Sequence, residues 1–406
     1  MDKKPEKLVP EVRFKGFTDD WEQHKLGEIS ERILRKNSDL QSLLPLTISA
    51  QDGLVDQTIY FNKQVASKQL KNYLLLYNGD FAYNKSYSVG YPYGAIKRLD
   101  KYKQGVLSTL YIAFKPTNIN SDFLQHYYDT DKWYREIYRN AAEGARNHGL
   151  LNISANDFFN SKLITPSDND EQLKIAKIIN VFNRLITLQQ RKLEQLMQLK
   201  KAMLQQLFVD KNCKQPILRF KNFNDNWEER KLSDIANYRN GKAHEQYIDM
   251  NGIYTVVNSK FISTNGKVKK FSNKPIELLK KGEIAFVLSD VPNGKALAKA
   301  YLIDSDNRYS LNQRIAGITP SSDINSYFLY ILINRNRYFL KFDDGVGQTN
   351  LSKKDIEEFK ENYPLFDEQQ KIANLFSKIQ ILITLQQNKL TQLTTLKEYL
   401  LRKLFI

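Results

Sequence analysis

One cysteine, Cys213, stands in 406 residues, so no disulfide can close within the chain, and a reducing compartment suits it. No run of about eighteen apolar residues occurs, which excludes a membrane-spanning helix. The amino-terminal MDKKPEKLVPEVRF lacks the apolar core of a signal peptide, and the expected location is the cytoplasm. Pro-Pro is absent, and with it the Asn-Pro-Pro-aromatic motif suited to methylating amino groups of bases. So is any Gly-x-Gly-x-x-Gly cofactor loop. The pairs Gly241-Lys242, Gly266-Lys267 and Gly294-Lys295 lack the leading glycine and the hydroxyl residue of a phosphate-cradling loop. No Gly-x-Ser-x-Gly elbow exists. His24, His126, His148 and His244 are dispersed without metal-ligand spacing, so no metal is expected. Asp225 with Glu229-Arg230-Lys231 has the look of a nuclease cluster. Its counterpart, Asp19 with Gln23-His24-Lys25, drops a carboxylate, which favours a structural turn around Trp21 and Trp227. No catalytic residue is assigned.

Acidic residues are the scarce class: 45 Asp and Glu against 61 Lys and Arg leave a formal charge of +16. That excess favours a polyanion, nucleic acid before an anionic membrane surface. At 41% hydrophobic and 26% charged, the chain supports folded domains with real cores.

What is present is a duplication. LITLQQ stands at residues 185–190 and again at 382–387, inside two segments that align without a gap, Asp170–Phe208 and Asp367–Phe405. PEVRFKGFTDDWEQHKLGEIS from Pro10 matches PILRFKNFNDNWEERKLSDIA from Pro216. GDFAY at Gly79 echoes GEIAF at Gly282, and LLNISANDF at Leu150 echoes QTNLSKKDI at Gln348. The chain is two diverged copies of one unit, each a globular part followed by a long helix. Short β-type runs among scattered glycines and helical stretches make each globular part α+β with a mixed sheet. Pro166 and Pro364 stand just before acidic helix starts. Four regions follow: 1–166, 167–210, 211–364 and 365–406.

Each helix carries a seam at alternating spacings of four and three. The first runs Phe182, Ile186, Gln189, Leu193, Leu196, Lys200, Met203, Leu207. The second runs Ile379, Ile383, Gln386, Leu390, Leu393, Lys397, Leu400, Leu404. Leu185, Leu199, Leu204, Leu382, Leu396 and Leu401 are expected to widen the stripe. In a parallel pair Lys200 would oppose Lys397. In an antiparallel pair Gln189 meets Lys397 and Lys200 meets Gln386, with leucine on leucine between them. The expectation is an antiparallel coiled coil, pseudo-twofold symmetric, with both lysines snorkelling at its edge.

With FKGFTDDWEQHKL and FKNFNDNWEERKL opening each half, and EQLKIAKI and EQQKIANL opening each helix, the chain resembles the specificity subunits of type I DNA restriction–modification enzymes. The motifs occur in order, twice, over nearly the whole length. The resemblance implies two target recognition domains, here 1–166 and 211–364, each reading half of a bipartite, asymmetric site in double-stranded DNA. The regions 167–210 and 365–406 would be the spacer helices, which dock two modification subunits. It implies a chain that is not itself an enzyme and holds no cofactor of its own. S-adenosylmethionine and adenine methylation belong to the modification subunits; ATP, Mg and cleavage belong to motor-nuclease restriction subunits. Two other readings differ in class: a self-contained methyltransferase or nuclease with a cryptic site, and a two-domain DNA-binding regulator. Methylation of DNA by the pure chain would mark the former, whereas the EQ-x-K-I-A repeats argue against the latter.

Candidate DNA contacts follow from residue chemistry. In the first half, Lys85, Tyr87, Tyr91, Tyr93, Lys97 and Arg98 lie on a glycine-containing loop that can join phosphate anchoring to base-edge contacts. The alternative is a solvated hairpin with tyrosines packing its flanks. Arg146 and His148 belong to a second cluster. In the second half the candidates are Ser289, Asn293 and Lys295; Asn312, Gln313 and Arg314, of types that pair with adenine and guanine edges; and Gln348 and Asn350. The last two are equally suited to capping the following helix.

Overall fold

The computed structural model describes residues 8–62, 70–140, 151–210, 213–292 and 294–406. It forms two compact units: Met1–Arg191 with Asn388–Ile406, and Lys192–Gln387. Each contains one globular part and a portion of both long helices, α1 (Asn169–Gln206) and α2 (Phe366–Lys403).

The first unit has two four-stranded sheets. One is antiparallel, in the order Ser30–Arg32, Ile112–Pro116, Phe81–Asn84, Ala95–Arg98. The other runs Gly53–Asp56, Pro45–Ser49, Gln104–Leu107, Leu74–Tyr77, and its central pair is parallel, giving the mixed sheet expected. The second unit repeats this topology. Ala236–Asn240, Ile315–Pro320, Ile284–Val287 and Ala300–Leu302 form one sheet. Phe271–Ser272, Tyr254–Val257, Tyr309–Leu311 and Leu278–Leu279 form the other, again with a parallel centre.

Strand periodicity explains the GDFAY and GEIAF echo. Successive side chains of a strand point to opposite faces. Phe81 and Tyr83 pack into the core shared with the helices, whereas Ala82, with Ala95 and Ala113, joins the core shared with the second sheet. Ile284 and Phe286 divide from Ala285 and Val287 in the same way. The glycine supplies a left-handed turn, φ +92° at Gly79 and +87° at Gly282. The acid that follows closes it: Asp80 accepts from the Tyr77 amide at 2.7 Å and pairs with Arg35. Glu283 accepts from the Lys280 amide at 2.7 Å and pairs with Arg239.

The other two repeated motifs meet each other. In the first unit Arg13 of the RF segment donates twice to Glu171, at 2.7 and 2.8 Å. Gln172 accepts from the Asn120 amide and donates to the Pro166 carbonyl. Lys174 lies over the Phe17 ring, and Ile175 and Ala176 enter the core. The second unit makes the same set: Arg219 on Glu368, Gln369 between Asn325 and Pro364, Lys371 over Phe223, Ile372 and Ala373 buried. Each letter of EQ-x-K-I-A therefore has a partner. A buried carboxylate such as Glu171 tolerates burial only when paired and hydrogen-bonded.

The helices run antiparallel in each unit. In the second, Phe208, just beyond the end of α1, meets Phe376 in the first turns of α2 at a tilt, ring centroids 5.9 Å apart, and Leu207 shares a core with Ile372 and Phe376. In the first, Leu404 and Phe405 at the end of α2 pack with Ile175 and Ile179 near the start of α1. The expected seam is the inward face: Ile186, Gln189, Leu193, Leu196, Lys200, Met203 and Leu207 are all buried or half-buried. So are Ile383, Gln386, Leu390, Leu393, Lys397, Leu400 and Leu404. Two details of the expectation are corrected. Lys200 donates to Gln380 Oε1 at 2.7 Å, six residues nearer the start of α2 than Gln386. The helix ends are fixed in the domain cores, and that anchoring sets the register instead of the matching of mid-helix polar residues. Of the flanking leucines, Leu204 and Leu401 are half-buried, but Leu185, Leu199, Leu382 and Leu396 are exposed, because a two-helix pair covers only a narrow seam. Among the described residues no helix is long and apolar enough to cross a membrane.

Candidate nucleic-acid interface

In the first unit the loop Lys85–Gly94 joins two strands of the antiparallel sheet. Ser88 and Tyr91 close it by a reciprocal backbone bridge around Gly90. Gly94, at φ +81°, sits so close to Asn84 that a Cβ would lie 2.0 Å from the Asn84 carbonyl oxygen. This tight return leaves Tyr87 and Val89 at the exposed tip. Tyr91 is half-buried against the second sheet, and Tyr93 is turned inward on Tyr134, its centroid 5.1 Å away. The Tyr83 hydroxyl fixes that arrangement by donating to the Tyr93 carbonyl at 2.8 Å.

The cations of this region are not equivalent. Lys85 donates to the Ile153 carbonyl at 3.2 Å, and Lys97 pairs with Asp129 at 3.0 Å. Arg98 reaches Asp100 at 2.7 Å and Asp122 at 2.6 Å. Asp129 is partly buried, which works against its charge, yet His126 and Lys97 hold its carboxyl down at about 2. The charge of Lys97 and Arg98 is thus engaged within the chain, whereas Lys101 and Lys103 are exposed. Arg146 and His148 lie outside the described residues.

A groove of about 530 Å³ opens beside the loop, with Tyr87, Val89 and Tyr91 on one wall and Tyr60, Phe61 and Tyr111 on the other. Sequence reasoning did not find Tyr60, Phe61 and Tyr111. They come from segments outside the lysine- and tyrosine-rich stretch that drew attention.

In the second unit three segments converge. The Leu288 amide donates to the Arg314 carbonyl at 3.0 Å, and the Leu351 amide to the Leu288 carbonyl at 2.8 Å. Ser289–Asp290 pairs with Thr349–Asn350, and Gln348 donates to Ser289 Oγ at 2.6 Å. Asp290 holds the loop by accepting from the amides of Val291, Ala296 and Leu297, which leaves Lys295 exposed. Asn312 faces buried His244, which is also held by Ser310 at 2.7 Å. Gln313 donates to Glu245 at 2.7 Å. Arg314 is exposed and left-handed, φ +66°, a conformation that costs a non-glycine residue of order 1 kcal/mol or more. The structure therefore brings together Ser289, Lys295, Asn312, Gln313, Arg314, Gln348 and Asn350; Asn293 lies outside the described residues. The aligned carbonyls of Lys85 and Leu288 each accept from a residue just ahead of the next helix, Leu151 and Leu351, two positions apart between the copies, so both loop clusters leave the framework after the same strand.

Residues 224–395 match the family model of the type I restriction modification DNA specificity domain. The specificity subunit of the type I restriction enzyme MjaVIII from Methanocaldococcus jannaschii is 24% identical, over 95% of this chain and 92% of the relative. A crystal structure of a type I restriction–modification S subunit from M. genitalium superposes with a TM-score of 0.62 at 17% identity, covering 98% of this chain and 99% of the other. A chain from a study of complex assembly and conformational transition in the type I system gives 0.52 at 15% identity, covering 99% of both. These structural likenesses show a shared fold. The resemblance read from the paired motifs is met by the family model and the curated relative alike.

Proposed function

We propose that this member of the type I restriction–modification specificity family is a DNA-reading subunit without chemistry of its own. Each unit reads one half of a bipartite, asymmetric site in double-stranded DNA. The observation that supports this most is the contrast between framework and loops. The junction contacts of Arg13 and Arg219, Glu171 and Glu368, Gln172 and Gln369 are the same in both units. The loop clusters at matching places carry unlike side chains, tyrosine and serine in one, amide and guanidinium in the other. A shared framework suits common partners; unlike loops suit unlike half-sites. Base-edge contacts carry sequence information, and phosphate contacts carry register.

Partner subunits would then bring S-adenosylmethionine for adenine methylation and, where present, ATP-driven restriction. The test is to combine the chain with its modification partner, methylate plasmid DNA, and map the methyladenine. One split, asymmetric motif is expected. Base methylation by this chain alone, or no motif with the partner present, would sink the proposal.

A further inference from the structure

We propose that Arg314 reads a guanine in the half-site of the second unit, its guanidinium spanning the O6 and N7 acceptors of that base in the major groove. The inference rests on the DNA-reading proposal and adds one residue and one base to it. Arg314 stands in the turn from Tyr309–Leu311 to Ile315–Pro320. Backbone bonds clamp that turn. The Gln313 amide donates to Lys242 at 3.0 Å, the Ile315 amide to Asn312 at 3.3 Å, and Arg314 accepts from the Leu288 amide at 3.0 Å. Side chains hold its flanks, with Asn312 beside buried His244 and Gln313 on Glu245. The Arg314 side chain is left outside the clamp and exposed.

Two observations single out this residue. The first sets strain against use. Among the described residues two arginines are left-handed, Arg314 at φ +66° and Arg335 at +59°. Arg335 is used inside the fold, donating to the carbonyls of Gly294 and Leu297 at 3.4 and 3.3 Å. No described residue accepts a hydrogen bond from the Arg314 guanidinium or pairs with its charge. All acids of 192–387 are described, so no acid of the second unit neutralises it. Backbone strain kept without a structural return points to function. The second observation is the matching turn of the first unit. Residues 108–111 join the corresponding strands, include no left-handed residue, and expose Leu110. The framework therefore accepts an unstrained turn here, and the arginine is particular to the second unit.

Guanine follows from the side chain. A guanidinium offers a fork of N–H donors and no acceptor. It matches guanine, which shows two acceptors side by side, and not adenine, which shows an acceptor beside a donor. A phosphate needs charge more than direction, and a long flexible lysine such as exposed Lys295 supplies that. A clamped turn fixes direction, which base reading needs.

In the test the chain is assembled with its modification partner and its site is mapped by methyladenine. The half-site of the second unit is the one that survives exchange of residues 10–166 for those of a relative. Each guanine there, on either strand, is replaced in turn by 7-deazaguanine, which loses the N7 acceptor and still pairs with cytosine. At one position binding should weaken roughly fivefold, and Arg314→Gly should abolish the difference. That variant should accept other bases at this position alone in methylation maps. It should melt no lower than the original, because glycine relieves the turn. A half-site without guanine, equal binding of every 7-deazaguanine duplex, or an unchanged motif in Arg314→Gly would overturn the inference. Uniform weakening on all sequences with a shallower salt slope would mark a phosphate contact, and also overturns it. So does a melting temperature many degrees lower, which would show that the guanidinium holds the fold. Each of these leaves DNA reading standing, whereas absence of any mapped site would refute that proposal itself.

Discussion

At Arg13 and Glu171 one bidentate ion pair ties the opening segment of the first unit to the start of α1; Arg219 and Glu368 do the same in the second. Both carboxylates are about 1% exposed, so removing their charge strands a half-buried guanidinium. Glu171→Gln and Glu368→Gln should each cost about 3–5 kcal/mol in urea unfolding. Losses within 1 kcal/mol of zero would show that the pair is not what fixes the junction. Glu283 and Asp80 sit at matching turns but respond to acid differently. Burial disfavours the charge of Glu283, yet Arg239, Thr319 and the Lys280 amide together hold its pKa below the usual range. A folded pKa below the unfolded one stabilises the fold above the ordinary glutamate range and loses that stabilisation as pH falls through it. Glu283→Gln should therefore be destabilised at pH 7 by about 2–3 kcal/mol and show a flatter decline toward pH 4 in thermal melts. For Asp80, burial outweighs Tyr77 and Arg35 and raises the pKa, so its protonation favours the fold as pH falls, and Asp80→Asn should make the acid limb steeper. The letters of these motifs were legible in the sequence as repeats, but their pairing was not. Arg13 and Glu171 are separated by most of a domain, and nothing local marks them as partners.

Along the helices, the seam was legible because only one face of a paired helix is covered, and spacing alone reports which. Register was not. Gln189, Lys200, Gln386 and Lys397 suggested one set of layers, whereas Phe208, Leu404 and Phe405 fix another by sitting in domain cores. A double-mutant cycle on Lys200 and Gln380 should give a coupling of about 0.5–1.5 kcal/mol, and one on Lys200 and Gln386 should give none. The reverse result would restore the register suggested by the polar residues. The repeated hexapeptide also divides by face. Ile186 and Gln189, like Ile383 and Gln386, point inward, while Leu188 and Leu385 are 56% and 59% exposed. Packing of the helix pair does not require those outer leucines, yet both copies keep them. Leu188→Glu with Leu385→Glu should leave the melting temperature within a few degrees of the original and abolish co-purification with the modification partner. Retained assembly would move the docking surface elsewhere.

For the molecule as a whole, the duplication and the antiparallel helices were readable from sequence because both repeat and periodicity survive divergence. The candidate loops were half legible. Lysine and arginine drew attention to Lys97 and Arg98, which are paired internally, while Tyr60, Phe61 and Tyr111 reach the groove only through the fold. Exchanging residues 10–166 should change one half-site in methylation mapping and spare the other; a change in both would mean that the units do not read independently. Affinity of the assembled complex should fall steeply with salt, as expected where several phosphates are neutralised, and a flat slope would mean that the charge of +16 serves another purpose. One contact differs between the units only in how far apart its partners lie in the chain. The Leu218 amide donates to Gln206 at the end of α1, a short step away; the Val12 amide donates to Lys403 at the end of α2, across almost the entire sequence. Leu404 and Phe405 likewise complete a core that begins with Trp21 and Phe123. A ribosome delivers the amino-terminal residues first. The second unit, made of the continuous stretch 192–387, has all its parts before the first unit receives 388–406. Until Phe405 emerges, the nascent first unit must keep an apolar gap beside Phe123 and Tyr127. The half that is synthesised first is the half that is finished last.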